Sequence, residues 1–230
     1  MSESFHKTLN NWLKDQFGTG LHARGFAIQN LPEDTKAKAL QSLSPQEQTQ
    51  WQDFSDLHKR REQWLLARLA AKICYTDSLQ DQGTRPSLSQ IEIIKNQSGK
   101  PFLQINKKPL ATALSITHTD EYVVAATSQN TNKFGIDLEI KTRPIGDWIG
   151  RAFSRKESQM LKDCSPTQLL RCWTAKEAAS KAFGTGLHGR WHAWQVAEFD
   201  SDQIIIKFED HEFKVRTLET EAFLFSVCGE

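Results

Sequence analysis

Apolar and polar positions alternate along the chain with two different periods, and the periods follow one another in the same order twice. "RREQWLLARLAAKICY" (61–76) and "RCWTAKEAASKAFG" (171–184) space their apolar residues at helical period. Each is preceded by a capped helix start. In "LSPQEQTQW" (43–51) Ser44 stands at the N-cap, Pro45 at the first helical position and Glu47 three residues on. In "FSRKESQMLKD" (153–163) Ser154 caps and Glu157 answers. Each long helix is followed by a strand, "QIEIIKN" (90–96) and "AWQVAEFD" (193–200). Each series closes on a strand–turn–strand pattern, "ALSITHTDEYVVAATS" (113–128) and "FKVRTLETEAFLFSVC" (213–228). Corresponding features lie roughly 100–110 residues apart, which predicts a duplicated unit rather than a short-period solenoid.

The expectation is an α+β, pseudo-duplicated, two-lobed fold, each half a long helix packed on a small antiparallel sheet. The break falls in the polar cluster "SQNTNK" (128–133), giving halves 1–131 and 132–230. A functional site is expected at the interface between halves, a preferred place for ligands.

The 171–184 helix has an unusual face. Trp173, Lys176, Glu177, Ser180 and Lys181 share it, while Cys172, Ala175, Ala179 and Phe183 form an apolar face for burial. Glu177 and Lys181 could be no more than a solvated i, i+4 pair worth roughly 0.2–0.5 kcal/mol. Another role for Glu177 needs further carboxylates, and "FGIDLEI" (134–140) offers them. Its period-2 alternation turns Asp137 and Glu139 to one face of a strand. That face is either solvent-facing or a hard-oxygen platform suited to Mg²⁺.

The first half carries separated basic groups. "NQSGKPFL" (96–103) puts Gly99, Lys100 and Pro101 in a tight loop after a strand, either a plain hairpin turn or a phosphate-binding loop. "SITHTD" (115–120) sets His118 beside Thr117 and Thr119, and "HKRREQ" (58–63) places Lys59, Arg60 and Arg61 where a helix begins. Basic groups in one half and carboxylates in the other suit a pyrophosphate ligand with a further phosphate, bridged by Mg²⁺, as phosphoryl transfer requires.

Composition narrows the field without deciding it. Hydrophobic residues make up 38% and charged residues 25%, the balance of a soluble globular protein. A net charge of +1 gives no field favouring nucleic acid or an anionic membrane. The opening residues lack the pattern of a secretory signal, and no apolar run reaches the ~18 residues of a membrane span, so a cytoplasmic protein is expected. Cys74, Cys164, Cys172 and Cys228 show neither C-x-x-C pairing nor zinc spacing and are expected as free thiols.

"GIDLE" (135–139) followed by "WTAKEAASKA" (173–182) resembles the paired signature of the 4′-phosphopantetheinyl transferases. "GKP", "SITHT" and "RREQWLLARLAAK" resemble the same family, in its larger monomeric, two-lobed type serving peptide, siderophore, polyketide and fatty-acid synthases. The resemblance runs in order from about residue 43 to the C-terminus. It implies Mg²⁺, with Mn²⁺ as a substitute, and coenzyme A as substrate. A serine of an apo acyl or peptidyl carrier protein would attack the β-phosphate and release adenosine 3′,5′-bisphosphate. It implies Asp137, Glu139 and Glu177 as metal ligands, with Lys181 on the pyrophosphate and Asp137, Glu177 and Lys181 as the catalytic set. Gly99, Lys100, Pro101, Thr117, His118 and the Lys59–Arg61 stretch are implied as contacts to the nucleotide end.

Thr117 stands where serine is commoner. Ala67 stands where glycine often precedes the helix arginine, here Arg68. The segment 141–157 after the metal strand is expected to dock the carrier, with Trp148 and Ile149 as apolar anchors and Arg151, Arg155 and Lys156 around them. The rival readings are a metal-dependent phosphodiesterase or nuclease, which would hydrolyse without a carrier, and a coenzyme A-binding scaffold without activity.

Overall fold

The computed structural model describes residues 2–29, 31–54, 58–79 and 85–229. Its contacts divide the chain into two units, one of Met1–Gln97 with Pro101–Asn132 and one of Ser98–Lys100 with Lys133–Glu230.

In the first unit, helix α1 (Ser2–Phe17) leads into strand β1 (Leu21–Ala27), then helices α2 (Glu33–Gln41), α3 (Pro45–Gln52) and α4 (His58–Ser78). Strands β2 (Ile91–Lys95), β3 (Pro101–Ile105), β4 (Lys108–His118) and β5 (Tyr122–Ser128) follow. The sheet is antiparallel in the order β1-β5-β4-β3-β2. The predicted 61–76 helix lies within α4, whose Leu65, Leu66, Leu69 and Ile73 meet Ile91, Leu103, Leu114 and Val123 in one core.

The second unit has strand β6 (Phe134–Ile140), helices α5 (Asp147–Ala152), α6 (Arg155–Met160) and α7 (Pro166–Phe183), and strands β7 (Gln195–Phe199), β8 (Ile204–Phe208), β9 (His211–Glu219) and β10 (Phe223–Gly229). Its sheet runs β6-β10-β9-β8-β7, again antiparallel. In both sheets the unit's first strand pairs with its last.

The duplication also reaches into the first 40 residues, because β1 holds in its sheet the place that β6 holds in the other. The signal was weak: "LHARGFA" alternates poorly, and α1 precedes it as an addition. Strands β3 and β8 were also absent from the expected pattern. "IIIKF" is a plain apolar run, which periodicity cannot assign. Among the described residues, no helix is long and apolar enough to cross a membrane.

The two predicted capping boxes both form, and each does more than cap. Glu157 accepts the Ser154 N–H at 2.8 Å and the Val196 N–H of β7 at 2.8 Å, and pairs with Lys176 of α7 at 2.7 Å. The Lys176 ammonium also donates to Ala152 O at 2.9 Å. In the first unit, Glu47 accepts the Ser44 N–H at 3.0 Å and the Ile93 N–H of β2 at 3.2 Å, and pairs with Lys72 of α4 at 2.5 Å. Lys72 donates to Ser42 O at 2.6 Å. Both lysines are 0% exposed. An ammonium without solvent is tolerable only with its charge matched and its donors used.

Lys176→Met leaves the buried Glu157 carboxylate with no ion-pair partner among the described residues and should cost about 3–5 kcal/mol, the usual penalty for breaking such a pair. Lys72→Met should cost less, because Glu47 keeps Arg68 at 3.4 Å. Urea unfolding of the single variants checks this, and a loss under about 1 kcal/mol would show the carboxylate to be relieved in another way.

Candidate active site

The candidate site of the second unit is built where β6 lies against α7. The strand is buried along most of its length, and its alternate residues Gly135, Asp137 and Glu139 face the helix. A Cβ at Gly135 would overlap the backbone of Ala178 and Ala182. Only glycine lets the strand and helix approach this closely. Two residues on, that proximity puts Asp137 within reach of α7: its Oδ1 accepts from Lys181 Nζ at 2.7 Å. Two further on, Glu139 receives a hydrogen bond from the Trp173 side chain and an ion pair from Arg143. The face carrying Asp137 and Glu139 is therefore a helix-packed interior and not a solvent face.

Electrostatics follow from the crowding. Burial, then the charge of Asp137, pushes the Glu139 carboxyl up to about 7, against the pull of Arg143. Burial, then Asp137, does the same to Glu177, also to about 7, with Lys181 and Arg143 opposing. For the Lys181 ammonium, burial acts downward, but Asp137 and Glu177 outweigh it and raise its pKa. Three carboxylates and one ammonium thus form an interacting set on two elements.

The polar helix face is narrower than expected. Lys176 and Ser180 are fully buried, Lys176 in the pair with Glu157 described above, and Trp173 is buried with them. Glu177 and Lys181 remain partly exposed. Spacing alone could not separate a lysine satisfied by a cap glutamate from one facing a ligand. On the apolar face Cys172, Ala175 and Ala179 are buried as expected, whereas Phe183 is 37% exposed. All four cysteines are free thiols.

The loop at 98–100 groups with the second unit. Ser98 Oγ donates to Gly184 O at 2.8 Å, and the Lys100 side chain lies over Gly184, the left-handed cap of α7. Burial lowers the Lys100 pKa. Gly99 has φ 83°, the left-handed turn that glycine adopts without strain. Lys100 is thus brought to the end of the helix that carries Glu177 and Lys181, and Pro101 opens β3.

The remaining predicted residues belong to the first unit. Thr117 is buried and His118 exposed at the end of β4. Arg60 is exposed on the first turn of α4, and the Lys59 side chain lies outside the described residues. Arg61 stacks on the Trp51 ring at 4.0 Å, and Arg68 on Trp64 at 3.4 Å beside Glu47. In the 141–157 segment Trp148 is half-buried and packs edge-on to Trp173 at 5.3 Å. The Ile149 side chain lies outside the described residues. Arg151, Arg155 and Lys156 are exposed.

The segment that carries β6 and α7 is also the segment that matches known proteins. The family model of the 4′-phosphopantetheinyl transferase superfamily matches residues 133–228. A holo-(acyl-carrier-protein) synthase of Bacillus subtilis (strain 168) is 36% identical over 100 residues, 43% of this chain and 81% of that protein. Its counterpart in Geobacillus kaustophilus (strain HTA426) is 32% identical over 100 residues, 43% of this chain and 75% of the relative. The chain belongs to the 4′-phosphopantetheinyl transferase superfamily. A holo-(acyl-carrier-protein) synthase from Bacillus anthracis str. Ames, solved in complex with CoA (3′,5′-ADP), matches at TM-score 0.38 and 24% identity, over 47% of this chain and 92% of that one.

Membership makes this a transferase and raises the question of the metal. Among the described residues, no group of three His, Cys, Asp or Glu is assembled as a finished metal centre. Asp137 and Glu139 are instead each turned onto a cation. The donor chemistry nevertheless fits a hard divalent ion: the set is all oxygen, and its mutual repulsion is what added positive charge would relieve.

A pH dependence follows for the metal-free protein. In folded protein the Glu139 and Glu177 carboxyls hold protons up to about 7, against an ordinary value of 4.5. The folded state binds more protons between these values, so stability falls as pH rises through that window. Glu177→Gln removes one titrating group and should flatten the fall, as read by melting in chelator between pH 5 and 8. A wild-type–variant difference that stays constant across the range would refute the assignment.

Proposed function

We propose that this chain transfers the 4′-phosphopantetheine arm of coenzyme A to a serine hydroxyl of an apo carrier protein, releasing adenosine 3′,5′-bisphosphate. The observation that carries the reading is the convergence of Asp137, Glu139, Glu177 and Lys181 on β6 and α7, within the stretch that matches the family. The two synthase relatives support the carrier as acceptor.

The serine oxygen would form a bond to the β-phosphorus as the bond from that phosphorus to the bridging oxygen breaks. Lys181, anchored to Asp137, would hold pyrophosphate oxygens, and Lys100 near the end of α7 would add a second cation. Asp137, Glu139 and Glu177 would hold Mg²⁺, which when bound offsets charge developing on the phosphates. The serine proton would pass to a group at this site, with Glu177 and Lys181 as the side chains there that can exchange one. Thr117, His118 and the basic start of α4 are proposed to recognise the nucleotide end. Arg61 would do so from its stack on Trp51.

The direct test is incubation with coenzyme A, Mg²⁺ and a panel of apo carriers, read by intact mass. Carriers should gain the arm, and chelation should stop the gain. Glu177→Gln should melt nearly as wild type yet turn over at least about a hundredfold more slowly, the scale of losing a preorganised electrostatic contact. Hydrolysis of coenzyme A or of phosphodiesters without a carrier would favour the hydrolase, and binding without any chemistry the scaffold.

The exposed Arg151, Arg155 and Lys156 are proposed to meet the carrier, whose family expectation is an acidic surface around the serine. Arg151→Glu with Arg155→Glu should raise KM for the carrier, more steeply at low salt, and leave coenzyme A affinity unchanged. Equal effects on both substrates would place docking elsewhere.

A further inference from the structure

Arg143 stands at the exit of β6 with its guanidinium on Glu139. The turn is fixed, since the Arg143 N–H donates to Ile140 O at 3.0 Å. The other side of the guanidinium lies on the Trp148 ring, 4.2 Å from its centroid. Trp148 is itself held, its indole N–H on Pro144 O at 3.1 Å and its edge against Trp173. Trp173 in turn hydrogen-bonds Glu139. Glu139, Arg143, Trp148 and Trp173 therefore close a ring of contacts.

We infer that Arg143 is a resident counter-ion which a divalent cation must displace from Glu139, and that its departure alters the Trp148 stack. This rests on the proposed role of Glu139 as a metal ligand. Charge supports it. Asp137, Glu139 and Glu177 carry three negative charges when ionised, and Lys181 answers one. A divalent ion answers the other two, so Arg143 becomes the surplus cation once metal alone is bound. Exposure supports it as well: Arg143 is 36% exposed against 27% for Lys181, and its partner Glu139 12% against 8% for Asp137, so the Arg143 pair is the one nearer solvent. The contact to Glu139 thus keeps the carboxylate neutralised before the metal arrives, and sets a competition for it.

Mn²⁺ alone, without coenzyme A, is the probe, titrated into the full chain with free Mn²⁺ followed by electron paramagnetic resonance and tryptophan emission in parallel. Arg143→Gln should bind Mn²⁺ about two- to fivefold more tightly than wild type, the reach of a partly exposed ion pair. It should also lose the emission change that metal causes in the wild type. Lys141→Gln is the control: Lys141 pairs with Glu219 at 2.7 Å rather than with Glu139, and its loss should leave both readouts alone. Unchanged or weaker Mn²⁺ binding by Arg143→Gln, or a gain matched by Lys141→Gln, overturns the competition. An emission change that persists in Arg143→Gln overturns the link to Trp148. If Glu139→Gln binds Mn²⁺ as wild type does, Glu139 is not a ligand and the underlying reading of the site fails instead.

Discussion

A lysine buried beneath a helix cap organises each unit. The cap glutamate is bound on one side to the N-cap backbone and on the other to a strand N–H, so its carboxylate has no freedom left. The lysine must then come to it, and with the lysine comes the rotational phase of the long helix. In the second unit this has a direct chemical result. Fixing Lys176 towards α6 turns the next residue, Glu177, by about 100°, one step of a 3.6-residue helix. Glu177 and, one turn later, Lys181 are thereby presented to β6. The pair at Glu157 is therefore a plausible stabiliser only in the second place; removing it would unbalance the fold, but its presence chiefly sets a register.

On that register the carboxylates are brought together at a cost. Like charges on two packed elements raise each other's proton affinity, and burial adds to the effect. The fold meets the cost with cations drawn from its own chain, Lys181 on Asp137 and Arg143 on Glu139. Gly135 makes the arrangement unavoidable, because the close approach it allows leaves no room for water between strand and helix at that level. A site so balanced responds to added positive charge, which is the property a metal-assisted phosphoryl transfer uses.

How much of this could be read beforehand depended on the kind of signal. Capping boxes at Ser44 and Ser154 were legible because the bond is local and the residue types are few. Long helices and closing hairpins were legible from period. Asp137, Glu139, Glu177 and Lys181 could be proposed from spacing because strand and helix each turn those residues to one side. The pairing of Lys176 with Glu157 was not legible, since the partners lie 19 positions apart on two different helices. Nor was β1, whose strand character comes from pairing with β5 and from Phe5 of α1, which packs over Gly25. Arg143, an arginine after a strand, carries no periodic signal in the sequence; only the fold sets it on Glu139.

The duplication also explains why the carboxylates occur once. The closing hairpins match residue for residue. Thr119 N–H donates to Tyr122 O at 2.8 Å in the first, and Thr220 N–H to Phe223 O at 3.0 Å in the second. Each threonine hydroxyl also takes the next two free N–H groups of its turn. Counting from Tyr122 and Phe223, Ala125 corresponds to Ser226 and Val123 to Leu224. Their partners on the neighbouring strand are Arg24 and Phe26 in the first unit, Asp137 and Glu139 in the second. Counting from the buried lysines, Glu177 corresponds to Ile73 and Lys181 to Asp77. The frame was copied with its cap, its lysine and its hairpin, while the charges at the ligand positions were not. Arg24 and Asp77 stand at the positions of Asp137 and Lys181, an exchange of charge that offers a metal no carboxylate cluster. The first unit therefore offers no carboxylate set of this kind, and the proposed metal site falls to the unit in which β6 is acidic.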